Sequence, residues 1–204
     1  MIAKLQYISQ GNHLEAIEKA CEAGCNWIQL RVKNRSENEV LALAQQARTI
    51  CTAYQSRLII NDYPDVAKAV QADGVHLGKT DQNHQTVREY LGQGFIIGGT
   101  ANTFEDIKAY AQQGAVNYIG LGPFRFTTTK RQLSPVLGIE GYQKIVAQCQ
   151  SENIKLPIVA IGGILLPDIS AILDTGVHGI ALSRLITKAD NKADLVQSIK
   201  SKWK

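Results

Sequence analysis

The chain has no apolar run long enough to cross a bilayer. The longest apolar stretch, Ile158–Leu166, is broken by two glycines and stops at Pro167. It also lacks a cysteine pattern. Of its four cysteines, Cys21 and Cys25 flank Gly24 at a helix-to-strand turn, and Cys51 and Cys149 fall on predicted helices. That spacing fits neither a disulfide framework nor a zinc site, so all four read as small buried or half-buried residues. No Lys/Arg run and no interleaving of aromatic with basic residues accompanies the net charge of +4, which argues against a nucleic-acid partner. A small anionic substrate suits the charge as well. The first nine residues lack a signal-peptide apolar region and read as a strand, so a cytoplasmic location and no membrane partner are expected. What remains, 45% apolar and 20% charged residues over 204 positions, is an ordinary globular composition.

Strand-like and helix-like segments alternate along the whole length. Strands are expected at Leu5–Ser9, Trp27–Arg31, Leu58–Ile60, Gly74–Gly78, Phe95–Gly99, Asn117–Gly120, Pro157–Ile161 and Gly179–Ser183. Helices follow each of them. The clearest begins at a capping box, Ser36 to Glu39, and lines up Val40, Leu43, Ala44, Ala47, Ile50 and Cys51 on one stripe. Another starts at Thr103 and is closed by Gly114, and the last runs over Asp194–Trp203. Eight βα units with no linker predict an α/β fold, one (β/α)8 TIM barrel over residues 1–204. A doubly wound sheet of six or seven strands is the alternative. It is disfavoured because no Gly-x-Gly-x-x-Gly follows the first strand and the glycine pair comes late, at Gly162-Gly163.

The segment Leu58–Asp81 is one βαβ unit, with Pro64 where a first helical turn would begin. Asp62 and Asp81 fall past the carboxyl ends of its two strands, the face on which parallel α/β folds bind ligands. Two acids there, with Lys79 beside them, suit Mg²⁺ and a diphosphate. The competing reading makes Asn61-Asp62 a helix cap and Asp81 a solvated loop acid.

Polar residues collect at the same ends of the other strands: Gln29, Arg31 and Lys33, then Asn61, Thr100, Asn102, Ser183 and Arg184. The opposite turns are bland, as at Ala23-Gly24 and Gln71-Ala72, and that asymmetry points to an enzyme. Gly162-Gly163 before a short helix, together with Ser183, matches a barrel phosphate site, with a tight glycine turn as the alternative. Gly122–Gly138 is long for a βα connection and carries Arg125, Thr127, Thr128, Thr129, Lys130 and Arg131, all donors for phosphate oxygens. A disordered basic loop would explain its length but not its threonines. His76, between Val75 and Leu77, reads as a barrel-wall residue, and no histidine is given a catalytic role.

Several motifs together resemble the thiamine-phosphate synthase family. They are Gln29-Leu-Arg-Val-Lys33, Ile60-Asn-Asp62, Asp73-Gly-Val-His-Leu-Gly78 with Asp81, and Ile97-Gly-Gly-Thr100. The series continues through Tyr118–Pro123, Thr127–Lys130, Ala160–Ile164 and Gly179–Ser183, in order over nearly the whole chain. The resemblance implies a barrel enzyme that joins an aminopyrimidine methyl diphosphate to a hydroxyethylthiazole phosphate, or its carboxylated form. By motif, Gln29, Arg31, Lys33, Asn61, Thr100 and Lys130 would bind the pyrimidine diphosphate, with Lys130, Arg31 and Thr100 carrying the catalytic step. Asp62 and Asp81 would ligate Mg²⁺. Thr127, Thr128, Thr129, Gly163 and the Ser183-Arg184 backbone would hold the thiazole phosphate. The expected partners are small phosphorylated substrates, and a homo-oligomer is compatible with the sequence.

Two positions depart from the family pattern. Thr100 stands where many members have serine and keeps the hydroxyl, and Ser183-Arg184 stands where many read Val-Ser. A related thiazole tautomerase branch shares the barrel but typically loses the acid pair and carries histidine in the loop after strand 6, where this chain has Pro123. A non-catalytic thiazole-phosphate sensor would have no use for metal-binding acids.

Overall fold

A computed structural model of the protein describes residues 2–126 and 135–203. The eight strands are β1 (Leu5–Ile8), β2 (Trp27–Leu30), β3 (Arg57–Asn61), β4 (Gly74–Leu77), β5 (Ile96–Ala101), β6 (Tyr118–Leu121), β7 (Ile158–Ile161) and β8 (Gly179–Leu182). Each is parallel to the next, and β8 pairs with β1 to close the barrel. The predicted (β/α)8 architecture is therefore present. The doubly wound alternative is excluded by that closure.

Closure makes every strand two-faced. Outward residues such as Ile28, Leu30, Leu58, Ile60, Val75 and Leu77 pack under the helices, while Ile8, Trp27, Ile59, Tyr118, Val159 and Ala181 form a smaller cluster inside the barrel. Both faces are dry, which is why these segments read as continuous apolar runs rather than alternating ones. Toward the carboxyl ends the inward positions turn polar, giving Gln29 on β2, Asn61 on β3, His76 on β4 and Thr100 on β5.

The helices are α1 (His13–Glu22), α2 (Glu37–Ala53), α3 (Pro64–Ala69), α4 (His84–Leu91), α5 (Phe104–Gln113), α6 (Gly138–Ser151), α7 (Ile169–Asp174), α8 (Arg184–Thr187) and α9 (Lys192–Lys200). Both expected capping signals operate. Ser36 and Glu39 form the reciprocal box on α2, Thr103 and Asp106 form one on α5, and Gly114 ends α5 in the left-handed conformation at φ 66°. Pro64 opens α3 as its first residue. Most element ends fall within one to three residues of expectation, the last helix covering Lys192–Lys200 rather than Asp194–Trp203, and two further details differ. β8 stops at Leu182, because Ser183 turns out of the strand and starts the short α8, a ninth helix. A 3-10 turn over Leu166–Asp168 precedes α7. None of the helices among the described residues is long and apolar enough to cross a membrane. All four cysteines are free and buried.

Asp106 holds the β5–α5 corner. Its carboxylate accepts from the backbone N–H groups of Asn102 (2.8 Å) and Thr103 (3.1 Å) and pairs with Lys79 at 2.7 Å. Burial by itself would raise its pKa. The Lys79 ammonium and the two N–H donors outweigh it and hold the carboxyl below its ordinary value. A carboxylate with a depressed folded-state pKa stabilises the fold above the unfolded pKa of about 4, and that contribution fades as pH falls through the lower folded value. Asp106→Ala should therefore cost about 1–2 kcal/mol at pH 7. In urea titrations repeated down to pH 3 the gap between wild type and variant should narrow steadily. A gap independent of pH would mean that the carboxylate charge contributes nothing.

Candidate active site

β3 delivers Asn61 and Asp62 to the mouth of the barrel. Asp62 adopts a left-handed backbone, φ 69°, a conformation that aspartate tolerates better than most residues. Its N–H donates to the carbonyl of His76 at 2.9 Å, which ties the corner to β4. The cap of α3 is Tyr63, with no side-chain cap bond, so Asn61 and Asp62 are not retained as helix caps. Asp81 arrives from the β4–α4 loop, where its Oδ2 accepts from the Gly78 N–H at 2.6 Å. The two carboxyl groups lie against each other. Burial chiefly raises the pKa of Asp62, Asp81 pushes in the same direction, and the ammonium of Lys33, paired with Asp62 Oδ2, opposes both.

The predicted site residues separate into several groups. Lys33 stands at the acid pair, whereas Lys79, expected there, turns to Asp106 and to Asn102 on the far side of the loop. The reason is local. Asp106 already collects two N–H donors at that corner, and its carboxylate offers Lys79 a nearer partner than the Asp62–Asp81 pair. Asn61 is 6% exposed, and its Nδ2 has no partner among the described residues, so it is a buried donor awaiting an acceptor. The backbone N–H of Arg31 donates to Ser9 Oγ at 3.2 Å. Its guanidinium lies near enough to His13 to add to burial in lowering that imidazole's pKa. Two hard carboxylate oxygens beside a basic residue suit a magnesium ion, which keeps several waters and takes few protein ligands. Among the described residues no cluster of three or more His, Cys, Asp or Glu side chains could hold a metal.

On the opposite rim, Gly162 (φ 98°) and Gly163 (φ 68°) are consecutive left-handed residues. A side chain at Gly163 would meet the backbone oxygen of Arg125 at 3.0 Å, so glycine is required for the chain to pass there. Arg125, read from sequence as a phosphate donor, instead grips Asp168 through both terminal nitrogens (2.8 and 3.0 Å) and donates to the Gly163 carbonyl at 2.6 Å. It holds the Asp168 carboxyl below the usual carboxylate range. Ser183 sits half-buried at the start of α8. Arg184 is exposed and lines a groove with Gln10, Asn12 and Lys188, toward α1. Thr127, Thr128, Thr129 and Lys130 lie outside the described residues.

The sequence reading missed a connected polar chain within the barrel. His76 is 8% exposed and contacts Tyr118 Oη through Nδ1 and Thr100 Oγ1 through Nε2, both at 3.0 Å. Gln6 Nε2 reaches the same phenol at 3.3 Å. Gln29 is 2% exposed and faces inward from β2. Strand alternation was the available signal: with Val75 and Leu77 facing the helices, His76 has to face inward. Gly98 makes the space, since a Cβ there would come within 2.3 Å of the Tyr118 ring and 2.5 Å of His76 Nδ1.

A family model for thiamine monophosphate synthase matches residues 1–186. A thiamine-phosphate synthase of Flavobacterium johnsoniae is 48% identical over 206 residues, covering 99% of this chain and 97% of the relative. One from Bacteroides fragilis is 52% identical over 188 residues, 92% of each chain. A solved structure of thiamine phosphate pyrophosphorylase from Pyrococcus furiosus superposes with a TM-score of 0.85 at 31% identity, covering 98% of this chain and 97% of that one. The acid pair, the glycine turn and the inward polar strand ends thus sit on a sequence matched almost end to end, and the chain belongs to the thiamine monophosphate synthase family.

Proposed function

We propose that the protein condenses 4-amino-2-methyl-5-(diphosphooxymethyl)pyrimidine with 4-methyl-5-(2-phosphooxyethyl)thiazole, releasing thiamine phosphate and diphosphate, or with its carboxylated form, which also releases CO2. The observation that carries this reading is the Asp62–Asp81 pair, set between the Lys33 ammonium and the unpartnered amide of Asn61. Paired acids with an adjacent cation and an unsatisfied donor suit a metal–diphosphate group.

In this reading Asp62 and Asp81 hold Mg²⁺, which neutralises charge on the leaving diphosphate when bound. The C–O bond to the pyrimidine methylene breaks, and its electron pair leaves with the diphosphate. The electron-rich aminopyrimidine ring stabilises the methylene cation left behind. The thiazole nitrogen then donates its lone pair to that carbon, forming the C–N bond. No protein nucleophile or strong base is needed, in keeping with a sequence reading that gives no histidine a catalytic role and takes the four cysteines as buried or half-buried. Lys33, Arg31, Asn61, Thr100 and Lys130 supply donors to the diphosphate, whose charge grows in the transition state. Gly163 and the backbone at Ser183-Arg184, with Thr127, Thr128 and Thr129, cradle the thiazole phosphate.

The direct test mixes both substrates with Mg²⁺ and measures thiamine phosphate and diphosphate. Tight thiazole phosphate binding without turnover would support the sensor reading instead, and isomerisation of a thiazole alone would support the tautomerase reading. Asp62→Ala and Asp81→Ala should each lower kcat/KM by about 100-fold or more, with the far-ultraviolet spectrum unchanged. Near-normal rates at limiting Mg²⁺ in either variant would remove the metal assignment.

Replacing the pyrimidine methyl group by trifluoromethyl tests the order of bond changes. Electron withdrawal destabilises the methylene cation, so the chemical step should slow by orders of magnitude in single-turnover measurements. A rate insensitive to the substitution would point to direct displacement by the thiazole nitrogen.

A further inference from the structure

Gln6 and His76 both meet the Tyr118 phenol, and the oxygen has one proton to give. Gln6 approaches with its amide nitrogen, a donor without an acceptor function, at 3.3 Å. The ring stands edge-on to Trp27 at 4.9 Å between centroids, and burial strongly favours the neutral phenol. An amide N–H cannot accept, so of these two partners only His76 Nδ1, at 3.0 Å, can take the phenolic proton.

That assignment passes along the imidazole. A ring accepting at Nδ1 carries its proton on Nε2, and Nε2 faces Thr100 Oγ1 at 3.0 Å. The threonine oxygen then accepts from histidine, so its own proton is left to point elsewhere. With the opposite tautomer the Thr100 proton would be taken up by Nε2, and the hydroxyl would present only lone pairs to a ligand.

We propose that His76 is a positioning residue which, oriented by Tyr118, keeps the Thr100 hydroxyl as a hydrogen-bond donor toward an anionic oxygen of the substrate diphosphate. This rests on the proposed condensation for the identity of the acceptor, though not for the direction of the bonds. The fold is built around the chain: Gly98 and Gly120 leave room for the His76 and Tyr118 rings, with a Cβ at Gly120 falling 3.0 Å from His76 Cε1. A donor suits the reaction because the negative charge on the diphosphate increases as the C–O bond breaks. An acceptor in the same place would oppose it.

The experiment has two arms. In protein labelled with ¹⁵N-histidine, the His76 resonances, identified by their loss in His76→Gln, should show the Nε2–H tautomer. In Tyr118→Phe, which removes the phenolic proton, that single tautomer should give way to a mixture. An Nδ1–H ring or a doubly protonated one in the wild type would overturn the proposal. This arm needs no turnover, so it reads out even if the protein makes no thiamine phosphate, in which case only the proposed function fails.

The second arm is a double-mutant cycle on single-turnover rates. His76→Leu and Thr100→Val should each slow the chemical step by roughly 10-fold or more, the scale of one hydrogen bond to a charged group. The KM for thiazole phosphate should stay within twofold. Combined, the two changes should cost little more than one, because His76 acts through Thr100. Losses that multiply would show that His76 merely fills space in the barrel wall, and would overturn the proposal. His76→Gln, whose amide can still donate to Thr100, should recover part of the rate lost in His76→Leu.

Discussion

Closing eight parallel strands on themselves leaves no face of the sheet in water, and that constraint governs the rest of the molecule. Polar side chains can stand only where a strand ends or where each finds a partner inside. The carboxyl ends of β2 to β5 meet the first condition with Arg31, Lys33, Asp62 and Asn102. The second is met by Gln6, Tyr118, His76 and Thr100, which are linked in a continuous chain. Asn61 meets neither with its Nδ2, and a buried donor without a partner costs about 1–3 kcal/mol. Such a cost at the mouth of a barrel is characteristic of a place kept for a ligand.

The charges at the rim follow from the same confinement. Asp62 and Asp81 would repel if both were ionised with nothing between them, and Lys33 relieves that by pairing with Asp62. On the other rim, the arginine beside the glycine turn is already committed. Among the described residues Arg125 is locked to Asp168, and the chain turns at Gly162 and Gly163 in left-handed conformations.

Much of this was legible beforehand, for identifiable reasons. Strands buried on both faces leave uninterrupted apolar runs, and helix starts leave capping boxes, so the βα alternation and the corners at Ser36 and Thr103 could be read directly. Position after a strand was enough to bring Asp62, Asp81, Asn61 and Lys33 together. Partner choice was not readable in the same way. Lys79 sits beside Asp81 in sequence and Arg125 in a loop of phosphate-type donors, yet Asp106 and Asp168, 27 and 43 residues further on, capture them. The Tyr118–His76–Thr100 chain was hidden for a related reason, since it joins β4, β5 and β6 across the barrel and no local spacing encodes it. The short α8 went unread because four residues give no periodicity.

The burial of the four cysteines has a practical consequence for work on this protein. Cys25 lies deep enough that burial pushes its thiol up to about 12, and burial likewise raises Cys149. Cys21 and Cys51 face each other behind α1 and α2, where Cys51 lowers the thiol of Cys21 but the pair stays covered. The thiolate is the reactive form, and alkylating reagents need access as well as charge. Toward such reagents the folded protein presents a surface that behaves as if it were free of thiols. A single cysteine introduced at an exposed position would then take a fluorophore or spin label selectively, with the native four left in place.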